Sequence, residues 1–171
     1  MNKPLHQFFT KDHQRIDKIL NKALENADEI NPKYYHQFRT QLLRHIKMEE
    51  KILFPAAKLV NLEVMQKLIP RYRLEHGALT ALMVPPPDFN LIKVIKYLLQ
   101  KHDFAEEETG GLYDVCEALT SNQTQEILDQ LAETKEVPVH PTNSAPIALE
   151  SAKRALIRAG YNYDEILQNA S

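Results

Sequence analysis

The stretch from Leu42 to Pro55, LLRHIKMEEKILFP, constrains this chain more than any other. A helix advances about 100° per residue, so His45 and Glu49, four positions apart, share one face. Tyr35, Phe38, Leu42, Ile52 and Leu53 fall close to the same stripe, which makes that face the buried one. An imidazole and a carboxylate therefore enter an apolar core side by side, where an uncompensated charge costs on the order of several kcal/mol. The pattern recurs at His102-Asp103-Phe104-Ala105-Glu106-Glu107, with the same His-x-x-x-Glu-Glu spacing inside a second apolar stripe. Two such elements in one small helical chain point to a metal site.

The rest of the chain supplies a scaffold for them. Its 171 residues include only four glycines, and the apolar residues recur with helical rather than alternating spacing, so the chain reads as all-α. Charges of both signs are interspersed around a net charge of −2, which argues against a nucleic-acid partner. No apolar run approaches the roughly 20 residues that cross a bilayer. The start, Met1-Asn2-Lys3-Pro4-Leu5-His6-Gln7, lacks the apolar stretch of a signal peptide, and a single cysteine, Cys116, cannot form an internal disulfide. Both features lead us to expect a cytoplasmic location with no membrane partner.

The expected architecture is an antiparallel up-down four-helix bundle over residues 1–135, followed by a linker and a C-terminal helical tail over 136–171. Helix one runs from about Leu5 to Ala27 and carries His13 as the one polar group on a stripe of Leu5, Phe9, Ile16, Leu20, Ala23 and Leu24. Asp12 is assigned to its charged outer face. Asn31 caps helix two and Pro32 occupies its first position; Pro55 kinks or ends it after Phe54. His13 stands about 14 residues from the end of helix one and His45 about 13 from Pro32, so a hairpin with a short loop brings them level.

Pro70 interrupts the approach to helix three, where Tyr72, His76, Leu79 and Met83 share a face and Gly77 allows close helix packing or leaves room beside the site. After Val84-Pro85-Pro86-Pro87-Asp88, helix four carries Leu91, Ile95, Leu98, His102, Glu106 and Thr109 inward, and Gly110-Gly111 ends it. In the tail, a capped helix from about Ala145 to Ala159 ends at Gly160. Its shallow apolar face suits docking on the bundle or on a second subunit as a homodimer, and nothing there suggests chemistry.

His13, His45, His76 and His102, one per helix, with Glu49 and Glu106, make six candidate metal ligands. That is too many for one tetrahedral zinc and fits two metals that share the carboxylates. Imidazole with carboxylate suits iron, and also manganese or zinc. An octahedral ion so held keeps positions open for water, O₂ or NO. The Glu-x-x-His pattern of ferritin-type di-iron bundles is absent, since Leu42, Arg73 and Leu99 stand three before His45, His76 and His102.

The remaining candidates take lesser parts. His36 lies on the outer face; His6 packs two turns from His13 or lines an entrance; His140 is incidental in its linker. Glu50, Glu75 and Glu107 are expected to point into solvent. Tyr72 packs near the metals or serves as a phenolate or relay. Cys116 is a buried small hydrophobe or a redox-active thiol.

The order His13, His45-x-x-x-Glu49, His76, His102-x-x-x-Glu106, with Leu42-Leu43-Arg44-His45 to Phe54-Pro55 and Glu75-His76, resembles the hemerythrin-like (HHE cation-binding) family of four-helix bundles over roughly residues 5–120. The resemblance implies two non-haem iron ions bridged by an oxo or hydroxo group. His13 and His45 would bind one, His76 and His102 the other, and Glu49 and Glu106 both. Oxygen carriers of that family have a histidine where this chain has Tyr72, and an aspartate five residues after the last histidine in place of Glu106. Four histidines with two glutamates look closer to di-iron proteins that repair damaged iron–sulfur clusters. The resemblance therefore implies a protein that binds or senses O₂, NO or peroxide, or handles iron under such stress, rather than a turnover enzyme. The alternatives are an enzyme or iron donor in cluster repair, and a structural metal-stapled bundle that acts through dimerisation.

Overall fold

A computed structural model describes residues 2–169; Met1 and the last two positions of the expected tail, Ala170 and Ser171, lie outside the described residues. Among the described residues all regular secondary structure is helical, without a strand, and residues 134–144 form a non-helical connection. The chain divides into two compact units, residues 1–69 with 103–139 and residues 70–102 with 140–171.

The first unit opens with α1, Pro4–Ala23, which stops four residues before the expected end. The carbonyl of Ala23 takes the N–H of Asn31, closing the loop to α2, Pro32–Met48. Asn31 caps α2 as expected: its side-chain oxygen accepts from the N–H groups of Lys33 and Tyr34. The helix does not end before Pro55. A proline ring clashes with the carbonyl four residues back in a regular helix, here that of Lys51. One π turn, Glu49–Leu53, absorbs the clash by letting the N–H of Phe54 reach the carbonyl of Glu49, five residues back. The rod then continues as α3, Phe54–Val60. The wider turn shifts the helical phase, so Ile52, expected on the buried stripe, is half-buried while Leu53 and Phe54 are fully buried.

The helix α1 packs mainly on α2 and also meets α6, Leu112–Leu119, and α7, Thr124–Glu133; α6 touches α3, and α7 touches the π turn. Phe9, Leu20, Phe38, Leu53, Phe54, Leu112 and Leu131 fill this core.

In the second unit, α4, Leu62–Leu82, reaches the core with Ala78, Leu79 and Leu82, and α5, Phe89–Glu107, with Leu91, Val94, Ile95 and Leu98. The unit boundaries fall within these two helices. Pro70 does not interrupt α4, because it lies on an exposed face where water can solvate the carbonyl it frees. The tail forms α8, Pro146–Arg158, with Ala148, Ala152, Ala155 and Leu156 buried, and then α9, Tyr163–Asn169, which the sequence pattern did not reveal. Gly160 ends α8 at φ 91°, a left-handed conformation that favours glycine.

Gly77 is exposed, and a Cβ added there meets nothing within 4 Å, so neither close packing nor room beside a site explains it. We therefore expect Gly77→Ala to stabilise the fold by about 1 kcal/mol through helix propensity. A thermal melt checks this, with a rise of roughly 2–4 °C expected.

Candidate metal centre

The hairpin of α1 and α2 brings His13 and His45 level, as their distances from the loop require. Their Nε2 atoms stand 2.9 Å apart and both rings are buried. Glu49, at the first residue of the π turn, and Glu106, in the last turn of α5, complete the group, each 0% exposed. One ligand atom from each of these four residues lies within 4.8 Å of all the others. Such a donor set suits a divalent cation. Two fully buried carboxylates need two positive charges nearby. Protonating both imidazoles would supply them, and so would one divalent ion with both imidazoles neutral.

Each imidazole is held from behind. His13 Nδ1 pairs with Glu107 Oε1 at 2.6 Å, and His45 Nδ1 with Asp12 Oδ2 at 2.9 Å. A carboxylate on Nδ1 fixes the ring's rotation and tautomer and presents Nε2 as the metal-binding nitrogen. Arg15 in turn holds Asp12 Oδ1 with two bonds, of 2.6 and 3.0 Å. Burial acts to lower the pKa of His13, but hydrogen bonds with Glu106 and Glu107 outweigh it and hold the ring well above its ordinary value. For His45, burial is likewise outweighed, chiefly by the charge of Glu49, and the pKa is raised. Burial pushes Asp12 up, but His45 and Arg15 together draw it below the usual carboxylate range.

Sequence reasoning missed the residue at the middle of this group. The Tyr113 hydroxyl, carried by α6, lies 2.6 Å from Glu49 Oε1 and 2.9 Å from Glu106 Oε2. It also stands 3.1 Å and 3.4 Å from Nε2 of His13 and His45. Burial first, and then the charges of Glu106 and Glu49, push the phenol far above its ordinary pKa, so it stays protonated and its one proton serves the two carboxylates. Its ring stacks on Phe9 at 5.0 Å. The only signal in the sequence was its place seven residues after Glu106, beyond a Gly-Gly break whose geometry periodicity does not specify.

In the second unit, His76 on α4 and His102 on α5 are buried with ring centroids 4.9 Å apart. His102 Nδ1 pairs with Glu75 Oε2 at 2.8 Å. Glu75 Oε1 accepts from the Tyr161 hydroxyl at 2.9 Å and from Arg71 Nε at 3.3 Å. Burial would raise the pKa of Glu75, but these donors bring it below the usual range. Tyr72 presents its ring edge-on to His102 at 5.8 Å.

Several expectations are corrected by these contacts. Glu75 is buried against His102 rather than solvated, and Glu107 is held by His13. Asp12 faces inward because His45 and Arg15 together compensate its charge. The tail does contribute to the polar core, through Tyr161. His6 packs through Asp114, 2.7 Å from its Nδ1, with its ring edge-on to Tyr113 at 5.9 Å. Cys116 is fully buried, and burial, then Glu49, Glu106 and Glu117, pushes its thiol far up, which leaves it the inert small hydrophobe of the two readings. Thr109, placed on the inner face by periodicity, is exposed because α5 stops at Glu107.

No described helix is long and apolar enough to cross a membrane. Searches of curated proteins and of solved structures gave no match. A family model, the hemerythrin HHE cation binding domain, matches residues 5–137, which span α1 through α7 and all six candidate ligands. With an all-helical fold and buried histidine–glutamate groups at the positions that carry the motif, the chain belongs to the hemerythrin HHE cation-binding domain family.

Proposed function

We propose that this protein binds two metal ions, iron foremost, and uses them to bind or sense O₂, NO or peroxide. In this reading His13 and His45 would hold one ion and His76 and His102 the other, and Glu49 and Glu106 would supply carboxylate ligands. Manganese or zinc would suit the same donors. The observation that carries the reading is the convergence of His13, His45, Glu49 and Glu106, all buried, with the far nitrogen of each imidazole already tied to a carboxylate.

Bound iron would supply open coordination positions and redox chemistry for a small diatomic or peroxide. The chain's own residues do the rest. Asp12, Glu75 and Glu107 orient the rings, and the Tyr113 hydroxyl offers a hydrogen bond to the two central carboxylates. Phe9 and the surrounding apolar side chains keep bulk water out.

Elemental analysis of protein purified with and without air, with an absorption spectrum of each, tests the reading; two ions per chain are expected. A reversible spectral change on cycling O₂ or NO supports binding or sensing. Multiple turnover of peroxide or NO replaces it with an enzyme, and metal inert to all three replaces it with a structural staple.

Acid should strip the metal. Coordination requires neutral imidazole, and the raised pKa values of His13 and His45 let protons compete already above the ordinary histidine value. The sign differs between the two forms. In the metal-free fold, raised histidine pKa values contribute stability that is complete below the unfolded value of about 6.5 and is lost as pH rises through the folded value. The metal-bound fold gains stability in the opposite direction. Dialysis between pH 8 and 5 and then metal analysis checks this, and full occupancy retained at pH 5 contradicts histidine-dominated ligation.

A further inference from the structure

We infer that Tyr161, from the C-terminal segment, is a positioning residue of the metal centre that sets the orientation of His102 through Glu75. This rests on the metal reading above and adds to it a part of the chain beyond the matched residues 5–137.

Two carboxylate clamps can be compared, each within its own unit. In both, the acidic residue immediately before one histidine grips Nδ1 of another: Asp12, beside His13, holds His45, and Glu75, beside His76, holds His102. An arginine on the same helix steadies the far oxygen in both cases. Arg15 does so closely, with two bonds to Asp12. Arg71 does so poorly: its single contact with Glu75 is 3.3 Å long and its side chain is 55% exposed. Glu75 also has one more side-chain torsion than Asp12, hence more freedom to swing away from His102. The Tyr161 hydroxyl, 2.9 Å from Glu75 Oε1, supplies the missing restraint, whereas the far oxygen of Asp12 is held, among the described residues, by Arg15 of its own helix.

Tyr161 is itself delivered with some precision. Gly160 reverses the chain at φ 91°, and the N–H of Tyr161 returns to the carbonyl of Leu156 at 2.9 Å, locking the turn that ends α8. Its ring stands edge-on to Tyr97 of α5 at 6.3 Å. Asn162 then starts α9 by accepting from the N–H groups of Asp164 and Glu165. Burial, then Glu75, pushes the Tyr161 phenol up to about 12, so it remains a donor at any working pH. The bond also draws negative charge from the Glu75 oxygens, which tempers the hydrogen bond that Glu75 makes with His102 Nδ1.

The test uses the full-length chain and Tyr161→Phe, which keeps the ring and removes one oxygen. In protein loaded anaerobically with ferrous iron, release of the two ions to a chelator should resolve into two phases. Tyr161→Phe should speed one phase by about threefold to tenfold, below the roughly tenfold to hundredfold cost of losing a direct partner of a metal-bound histidine. The other phase should not change. Equal acceleration of both phases signals general loosening and overturns the inference, as does no change in either. In the metal-free chain, the Nδ1–H resonance of His102 should weaken through faster exchange with water in Tyr161→Phe, while that of His45 stays as it was. An unmoved His102 resonance overturns the inference independently of metal. A wild-type chain that takes up no iron overturns the metal reading instead, and the resonance alone then decides whether Tyr161 fixes His102.

Discussion

Replacing His45 by alanine will reduce bound metal from two ions to well below two per chain. His45 is the more deeply buried member of the close imidazole pair, and its Nε2 faces His13 Nε2 at 2.9 Å. Alanine removes that donor and leaves Glu49 without the imidazole one turn before it on the same face. Water cannot substitute freely, because the site is enclosed by Phe9, whose ring meets His45 edge-on at 5.6 Å, and by Tyr113. The metal-free fold will also lose stability, by about 2 kcal/mol or more, since a large buried side chain is deleted and Asp12 loses one of its two side-chain partners among the described residues, keeping Arg15. Metal content must therefore be measured on protein shown to be folded by circular dichroism. Two ions still bound to folded His45→Ala would refute the ligand assignment, and His102→Ala provides the matching test for the second unit.

Gly111→Ala is expected to cost about 2–3 kcal/mol, the upper part of the range for forcing atoms into a packed site. The helix-breaking pair Gly110-Gly111 divides two roles. Gly110 takes the positive φ, 80°, while Gly111 has an ordinary backbone conformation but no space. A Cβ on Gly111 would lie 2.6 Å from the carbonyl oxygen of Ala105, 2.8 Å from that of Glu108 and 2.9 Å from that of Glu106. These are main-chain atoms at the end of α5 and cannot turn aside as a flexible side chain does. Relief requires that the last turn of α5 move, and that turn carries Glu106. The melting temperature should fall by roughly 5–10 °C, with metal retention falling alongside it. An unchanged melt would mean that the approach of α6 to α5 is looser than these distances describe.

How far the site was legible depends on where each residue's instruction resides. His13, His45, Glu49, His76, His102 and Glu106 could be proposed because helical periodicity assigns a face to every residue, and a polar group on an apolar face needs a reason to be there. The level of His13 with His45 came from counting residues to a short loop. Asn31 and Pro32 announced the start of α2 because capping is a local hydrogen-bond requirement. Pro70, and the alternative that Pro55 ends its helix, misled for a common reason. A proline removes a hydrogen bond with certainty, but whether the helix breaks depends on what the surroundings offer, here a π turn in one case and solvent in the other.

By itself, then, the amino-acid order determined most of the helices, most of their inward faces and the burial of the six candidate donors, since all of these derive from spacing along one rod. Only the tertiary structure decided which carboxylates stand behind the imidazoles. Asp12, Glu75 and Glu107 lie at the margins of those faces, where a side chain turns inward or outward according to the partner a neighbouring helix presents. Tertiary structure alone also placed the hydroxyls of Tyr113 and Tyr161. Each reaches its carboxylate across a glycine turn, Gly110-Gly111 or Gly160, whose direction depends on how the helices on either side pack.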